Sequence, residues 1–462
     1  MQPMRKKSIN VLLVTVLLLL GLAAVLLRPL DRTPFTKTDY YATTLRNLQQ
    51  RPAYVTQGDT VRVGWAKVNI TPPAGTPLAG YGKRLGMDYE SVHDSAWART
   101  FAFSNGKTEA YYVALDMLIV PMQVMRRLEQ VYPKLGLKPE QVYLTATHSH
   151  TSFGGWGKKL GVSLMSGEYE EELVAQLTRQ IVQSMQLARQ NLQPAKIGYG
   201  SVKAEGLVKN RLLDDPENPF YPDRNKTRDA TLRFLKFEGQ NGETAILSAL
   251  SAHATILPSK TPELSRDYPG ELVDELERHV DFAAFSAGAV GSQSVVYTHG
   301  DTYQSTQEVG EELAALLWQQ LQQITCDYVY TLGYDRTRLA LPEPSWRIAT
   351  DLRLAPFVFN SVFGQHPAYV TSLQLGNVVF VGAPADYSGE FVARLRQNAQ
   401  AQGLQAIVTS FNGGYIGYVT PDKYYNLEEY ETRSMNFFGP HSGSYLTDIM
   451  LRQLRQYGQA KK

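Results

Sequence analysis

The sequence predicts an α/β fold: a mixed β-sheet core covered by amphipathic helices, in one large domain behind an N-terminal membrane anchor. Three observations predict it. From Val61 onward, apolar runs of strand length alternate with segments whose apolar residues recur every three or four positions. Several of the runs are apolar on both faces, as in sheets covered on both sides. No Ser/Gly-rich linker or low-complexity tract divides 60–462.

Arg5-Lys6-Lys7 precedes an uninterrupted apolar stretch, 11–27, closed by Arg28 and Pro29. No Ala-x-Ala-like cleavage site or lipobox cysteine follows. Residues 1–30 are therefore expected to form a signal anchor, a transmembrane helix with its cations inside and the body outside the cytoplasm, periplasmic or extracellular. A cleaved signal peptide is the alternative. Residues 31–59 are polar and Pro-punctuated and are expected as a stalk, with a short helix over 38–50 that Pro52 ends.

Beyond it, strands are expected at 61–70, 110–115, 141–147, 244–251, 282–286, 378–382 and 406–410. Helical periodicity is clearest at Leu173, Val174, Leu177, Ile181, Met185 and Ala188, behind an acidic first turn. Similar patterns cover 307–323, 388–402 and 445–456.

The chain has 462 residues, 43% of them apolar, enough for a large core. Lys+Arg of 46 against Asp+Glu of 44 leaves a net charge of +2, so no nucleic-acid partner is expected. Cys326 is the only cysteine, which excludes an intrachain disulfide and a Cys-rich metal site. Any metal must be held by His, carboxylate or Tyr.

His148 and His150 stand two apart at the end of the run 141–147. In a strand, residues i and i+2 share a face, so both imidazoles are expected to project together from its exit. Other polar groups just beyond apolar runs are His253, Ser292, Ser294, Asp386 and the tyrosines after Ser410. Two imidazoles and a carboxylate supply three zinc ligands with one position open for water. An isolated histidine at a strand end is more often a hydrogen-bonded surface residue, and spacing alone leaves both readings open.

Ala146-Thr-His-Ser-His-Thr-Ser-Phe-Gly-Gly155 resembles the Ala-Thr-His-Thr-His-Ser-Gly-Pro-Gly-Gly signature of the neutral/alkaline non-lysosomal ceramidase family. The resemblance runs in order along the chain. Gly64-Trp-Ala-Lys-Val-Asn-Ile-Thr-Pro-Pro73 is similar to the family's Gly-x-Ala-x-x-Asp-Ile-Thr-Pro strand, and Val92-His-Asp-Ser-Ala-Trp-Ala-Arg99 to its Val-His-Asp-Pro-Leu-Tyr-Ala-Arg segment. Lys209-Asn-Arg211 sits where the family has an Asn-Arg pair, and Leu250-Ser-Ala-His253 resembles the strand ending in its second zinc histidine. Most specific is Tyr418-Val-Thr-Pro, followed by Tyr430-Glu431 and Gly439-Pro-His441, which resembles the family's Tyr-Val-Thr-Thr…Tyr-Glu…Gly-Pro-His run.

Carried over residue by residue, the resemblance implies that His148, His253, Asp386 and Tyr418 hold Zn2+, while His150, Arg211 and Tyr430 line its open position. It implies a catalytic domain over 60–462 that hydrolyses the N-acyl amide of ceramide or a related N-acyl lipid. The products would be a fatty acid and a sphingoid-type amine, a place in sphingolipid metabolism. Each residue also has a plainer reading. Asp386 could cap the helix starting near Ser388, Arg211 could pair with Asp214 or Asp215, and the two tyrosines could be packing residues among 27.

Two departures stand out. The family has Glu where Asp386 stands, one methylene or about 1.5 Å longer. Gly291-Ser-Gln-Ser294 replaces a Gly-Asp-Val-Ser-Pro-Asn segment whose serine has been proposed as a nucleophile in that family, so Ser294 is a candidate substrate contact or a loop hydroxyl. The immunoglobulin-like domain that follows Gly-Pro-His in ceramidases is not expected here. Competing functions are a zinc hydrolase of another N-acyl or ester substrate and a catalytically silent binding module.

Overall fold

The computed structural model describes residues 2–365 and 367–459, with side chains from residue 10 onward. Two sheets lie face to face. The larger runs Phe282–Ala287, Thr244–Leu250, Thr231–Gly239, Gln193–Lys203, Arg62–Asn69, Trp97–Ser104, Glu109–Leu115, Val142–Ala146. Its two outermost pairs are parallel and the pairs between them antiparallel. The smaller runs Tyr54–Gln57, Thr331–Leu339, Ala368–Leu375, Val378–Gly382, Gln405–Thr409, and only its last pair is parallel.

Phe101, Phe237 and Leu247 of the larger sheet meet Leu373, Phe380 and Ile407 of the smaller. Helices close the outer faces. Met122–Val131 and Glu171–Gln190 cover one half of the larger sheet, Asp267–Glu277 and Tyr303–Leu321 the other, and Val392–Gln400 with Ser442–Gln459 the smaller. Central strands are thus buried on both sides, which is why they read as unbroken apolar runs.

Every expected strand and helix is present, with ends moved by at most a few residues. Strands that carry charge inside the run, such as Trp97–Ser104 and Thr231–Gly239, went unexpected. Their buried Arg99 and Arg233 are neutralised by Glu277 and Asp229, partners that only the tertiary structure supplies.

Residues 31–59 do not stand off as a stalk. Helix Asp39–Gln50 forms as expected, but it buries Tyr41, Thr44 and Leu48, and Tyr54–Gln57 becomes the edge strand of the smaller sheet. The anchor expectation is corrected as well. Helix Gln2–Leu26 forms, yet among the described residues no helix is long and apolar enough to cross a membrane. The apolar side chains described within it, 11–26, rise about 24 Å, short of a hydrocarbon core of about 30 Å. Leu27–Pro29 then leaves the helix to pair with Leu352–Leu354, drawing the chain into the body. Met1 lies outside the described residues.

The strand ends are tied together on one side. Ser410 donates its backbone N–H to Ala287 (3.0 Å), Gly288 to Leu250 (2.9 Å), and the Asn412 side-chain amide to Leu144 (2.7 Å). Four strand exits from two sheets are thereby brought to one spot.

Candidate metal centre

His148 follows Val142–Ala146, but not as strand alternation would have it. The strand ends at Ala146, and His148 turns into the left-handed region (φ 64°) with its N–H bonded to Met117 O. The two imidazoles still meet, by a turn and not by a shared strand face. Their rings lie edge to face and their Nε2 atoms are 3.1 Å apart. Phe411, also left-handed at φ 64°, stacks on the His148 ring at 4.0 Å. Buried Arg84 donates to the carbonyls of Ala79, His150 and Ser259, pinning the loop that carries His150.

His253 follows Thr244–Leu250 and is fully buried. Asp386 and Tyr418 are register partners in a short parallel pair, so the backbone places carboxylate and phenol side by side. A close approach of backbone permits this: a Cβ on Gly291 would sit 2.2 Å from Asp386 O, and Gly291 N–H bonds Tyr387 O. Asp386 does not cap the next helix; Ser388 does, accepting from Glu390 N–H.

Tautomers follow from the partners. His148 Nδ1 lies 2.7 Å from Leu118 O, and His253 Nδ1 lies 2.9 Å from Val290 O. A carbonyl only accepts, so Nδ1 carries the hydrogen and Nε2 presents a lone pair in the neutral ring. Both Nε2 atoms point at Asp386 Oδ1, at 3.3 and 3.2 Å. That oxygen is buried without a hydrogen-bond partner among the described residues, while Asp386 Oδ2 accepts from Tyr415 OH at 2.7 Å. Tyr418 OH lies 2.9 Å from His253 Nε2 and accepts from Arg211 Nη2 at 2.9 Å.

The electrostatics agree. Burial, helped by the Arg211 cation, pushes His253 down to about 3, so its imidazole is neutral near pH 7. Burial and the neighbouring His148 and His253 also push His150 well down. Burial works against the Asp386 carboxylate, yet positive charge at His148 and His253, when a proton stands between their Nε2 atoms and Oδ1, holds its pKa well below the usual range. Burial and Asp386 push the Tyr418 phenol well up and Tyr430 up to about 12.

The Nε2 lone pairs and the Asp386 carboxylate oxygen aim acceptor atoms at one point with too few hydrogens between them. A cation is the group that removes this conflict. The nitrogens of His148, His150 and His253 lie within 4.8 Å of one another, close enough to hold a metal ion. His148 with His253, Asp386 Oδ1 and Tyr418 OH forms an overlapping set that leaves His150 outside.

Asp386, Tyr418 and His150 line a cavity of about 760 Å³ whose walls are largely apolar, among them Trp156, Val162, Met165, Phe359, Phe363 and Phe437. Tyr430 stands in its wall half-exposed, its ring 5.5 Å from that of Tyr418. Arg211 stands behind Tyr418 and pairs with Glu431 at 2.8 Å; Lys209, not Arg211, takes Asp214. Ser294 is not brought into the cavity wall: it lies in Gln293–Val295, a strand paired with Val208–Asn210, with its backbone bridged to His253. Tyr415, which orients Asp386, carried only a weak sequence signal as a tyrosine beyond Ser410, and Glu431, which orients Arg211, stood in the Tyr-Glu pair of the resemblance without a role of its own. Arg84 carried none.

The neutral/alkaline non-lysosomal ceramidase N-terminal family model matches residues 61–313. Neutral ceramidase from Pseudomonas aeruginosa is 29% identical over 219 residues, 45% of this chain and 32% of that protein. Neutral ceramidase from Mycobacterium tuberculosis is 24% identical over 225 residues, 46% of this chain and 34% of that protein. The matches thus span about a third of these relatives' length. In overall shape, the crystal structure of the Pseudomonas aeruginosa neutral ceramidase superposes with a TM-score of 0.73 at 21% identity, covering 87% of this chain and 75% of that one. A structure described as ceramidase complexed with C2 gives 0.76 at 19% identity, covering 87% and 76%. With the family model spanning more than half of its residues, this chain belongs to the neutral/alkaline non-lysosomal ceramidase family.

Proposed function

We propose that residues 60–462 form a zinc-dependent amidase of neutral ceramidase type that hydrolyses the N-acyl amide of ceramide or a related N-acyl lipid. The observation that carries this reading is the partnerless Asp386 Oδ1 between two imidazole Nε2 atoms, beside a large apolar cavity. The proposed ligands are His148, His253, Asp386 and Tyr418; Zn2+ accepts such an N/O set, and a bound ion would supply a Lewis acid and a water of lowered pKa.

The chain's own groups do the rest. Leu118 O and Val290 O hold the His148 and His253 hydrogens on Nδ1, keeping both Nε2 lone pairs inward. His150 has a buried Nδ1 without a hydrogen-bond partner among the described residues and a depressed pKa, so a proton it takes up in the reaction is held weakly and handed on readily. Tyr430, with its phenol proton retained, donates to the oxygen that becomes negative as the carbonyl is attacked. Arg211 fixes Tyr418. The apolar wall takes the hydrocarbon chains and keeps bulk water from the amide. In sum, the C–N bond breaks, the hydroxyl of water goes to the acyl carbon and its proton to the amine.

Metal content and a lipid panel test this on the full-length chain. Stoichiometric zinc is expected, with chelator-sensitive release of fatty acid from N-acylsphingosine. His148→Ala and His253→Ala should each lower turnover by about three orders of magnitude or more, with loss of bound metal. Preference for esters would favour another zinc hydrolase. Absence of stoichiometric zinc together with indifference to chelation would favour a silent binding module. We also propose that the domain works outside the cytoplasm, periplasmic or extracellular, with the Arg5-Lys6-Lys7 flank and the apolar run behind it read as an export signal; recovery of the protein outside the cytoplasmic fraction, in the medium or after selective release of the periplasm, checks this.

A further inference from the structure

We propose that the outer rim of the cavity, formed by Leu85, Leu160, Leu164 and Phe357, seats on the headgroup and acyl-chain boundary of a phospholipid bilayer. The inference deepens the amidase reading and rests on it for its purpose, since an N-acyl lipid has to pass from bilayer to cavity. Its physical basis is separate.

Helix Leu160–Ser166 and helix Pro356–Phe363 are short and apolar on opposite sides. Their inward residues Val162, Met165, Phe359 and Phe363 line the cavity. Their outward residues Leu160, Leu164 and Phe357 are 63%, 46% and 53% exposed. A surface helix of a soluble protein usually keeps its outer face polar. Leu85 completes the patch: it closes the turn Gly82–Arg84 in the left-handed region (φ 52°) and is 70% exposed. A leucine pays backbone strain there while gaining no burial, which points to a contact outside the chain.

The three pieces are contiguous. A Cβ on Gly161 would fall 2.7 Å from the Phe363 ring, and one on Gly86 would fall 3.1 Å from Gly167 Cα, just past the first helix. The long exposed apolar run of helix Gln2–Leu26 also leaves the body here, because Leu26 O accepts from Ala355 N–H immediately before Pro356–Phe363.

Charge selects the occupant. Lys83 and Lys159 flank the leucines, are exposed, and form no ion pair among the described residues. Lys158 beside them lies over the Tyr169 ring and 4.0 Å from Glu171. In a two-fold contact with a second copy these lysines would face their own likenesses. Against anionic headgroups they are complementary, and exposed leucine and phenylalanine ringed by lysine is the composition of an interfacial membrane contact.

The test places a polarity-sensitive fluorophore on Leu160→Cys in the full-length chain; Cys326, the other thiol, is buried in the core. With vesicles of phosphatidylcholine containing about one third phosphatidylglycerol, a blue shift and quenching by nitroxide-labelled lipid are expected at this position, as for a side chain entering the acyl boundary. The same label on Leu187→Cys, on helix Glu171–Gln190, should not respond. No response at 160, or a blue shift that follows protein concentration without vesicles, overturns the proposal, the second in favour of a second copy.

Activity gives the other arm. The triple variant Leu85→Glu, Leu160→Glu, Phe357→Glu should lose about tenfold or more on vesicle-embedded substrate, yet stay within about twofold on a short-chain monodisperse N-acyl substrate. Equal losses on both overturn the docking surface and leave the amidase standing. Insertion at 160 with no hydrolysis of either substrate overturns the amidase and leaves the docking surface.

Discussion

Two buried acids at neighbouring strand ends, Asp229 and Asp386, are built in opposite ways. Asp229 takes a two-pronged bond from Arg233, 2.7 Å to each oxygen, and a third from Ser251 Oγ at 2.9 Å. Asp386, beside His253 just two residues beyond Ser251, has one donor on Oδ2 and only imidazole lone pairs before Oδ1. The first acid brings its counter-charge with it, whereas the second lies among acceptors. Both acids are buried, so burial alone is not what separates scaffold from site. The balance of donors and acceptors is.

Stability should divide the two sharply. Arg233→Leu leaves Asp229 buried without its cation and should cost about 3–5 kcal/mol. Asp386→Asn, in protein stripped by a chelator, relieves a charge already short of donors and should cost no more than about 1 kcal/mol. Matched denaturation series at one pH check the pair. Comparable losses would mean that Asp386 is a folding residue like Asp229, and the contrast between the two acids would go.

Turnover sharpens it from the other side. Tyr430 is half-exposed at the cavity wall, where it holds nothing in the core together. Tyr430→Phe should therefore keep the fold and the bound metal but lower kcat by about one to three orders of magnitude, the range for losing one donor to a developing oxyanion. Unchanged rates would remove Tyr430 from the chemistry and leave its resemblance to the family tyrosine a matter of sequence alone.

The parts legible in the sequence were those written locally. Strands buried on both faces announce themselves as apolar runs, and His148, His253 and Asp386 each stand within a few residues of one; Tyr418, eight residues past Ser410, is singled out by the family resemblance. What joins them is not local. His148 reaches the site through a left-handed backbone that no neighbouring glycine signals, so strand periodicity named the right pair of histidines for the wrong reason. Strands holding Arg99 and Arg233 look too polar until Glu277 and Asp229 arrive from elsewhere. The 31–59 segment reads as a stalk because its contacts, Tyr41 to Asp448 and Thr44 to Tyr445, lie some four hundred residues away in the chain. Tyr415 was one tyrosine among 27 until its hydroxyl was seen on the carboxylate.

That hydroxyl gives the mildest of the expected effects and the most local one. Asp386 is the short acid of the site, and a short side chain has fewer ways to aim. Tyr415 OH, bonded to Oδ2, decides which oxygen faces the histidines and stabilises the ionised form. Tyr415→Phe should weaken zinc affinity by about 10- to 100-fold in competition with a chromophoric chelator, the usual cost of losing a group that orients a ligand. Saturating zinc should then restore most of the turnover, which a general loss of structure would not permit. If affinity holds in the Phe variant, either the backbone pairing of Asp386 with Tyr418 aims the carboxylate unaided, or Asp386 is not a ligand; Asp386→Asn, read by the same chelator competition, tells which.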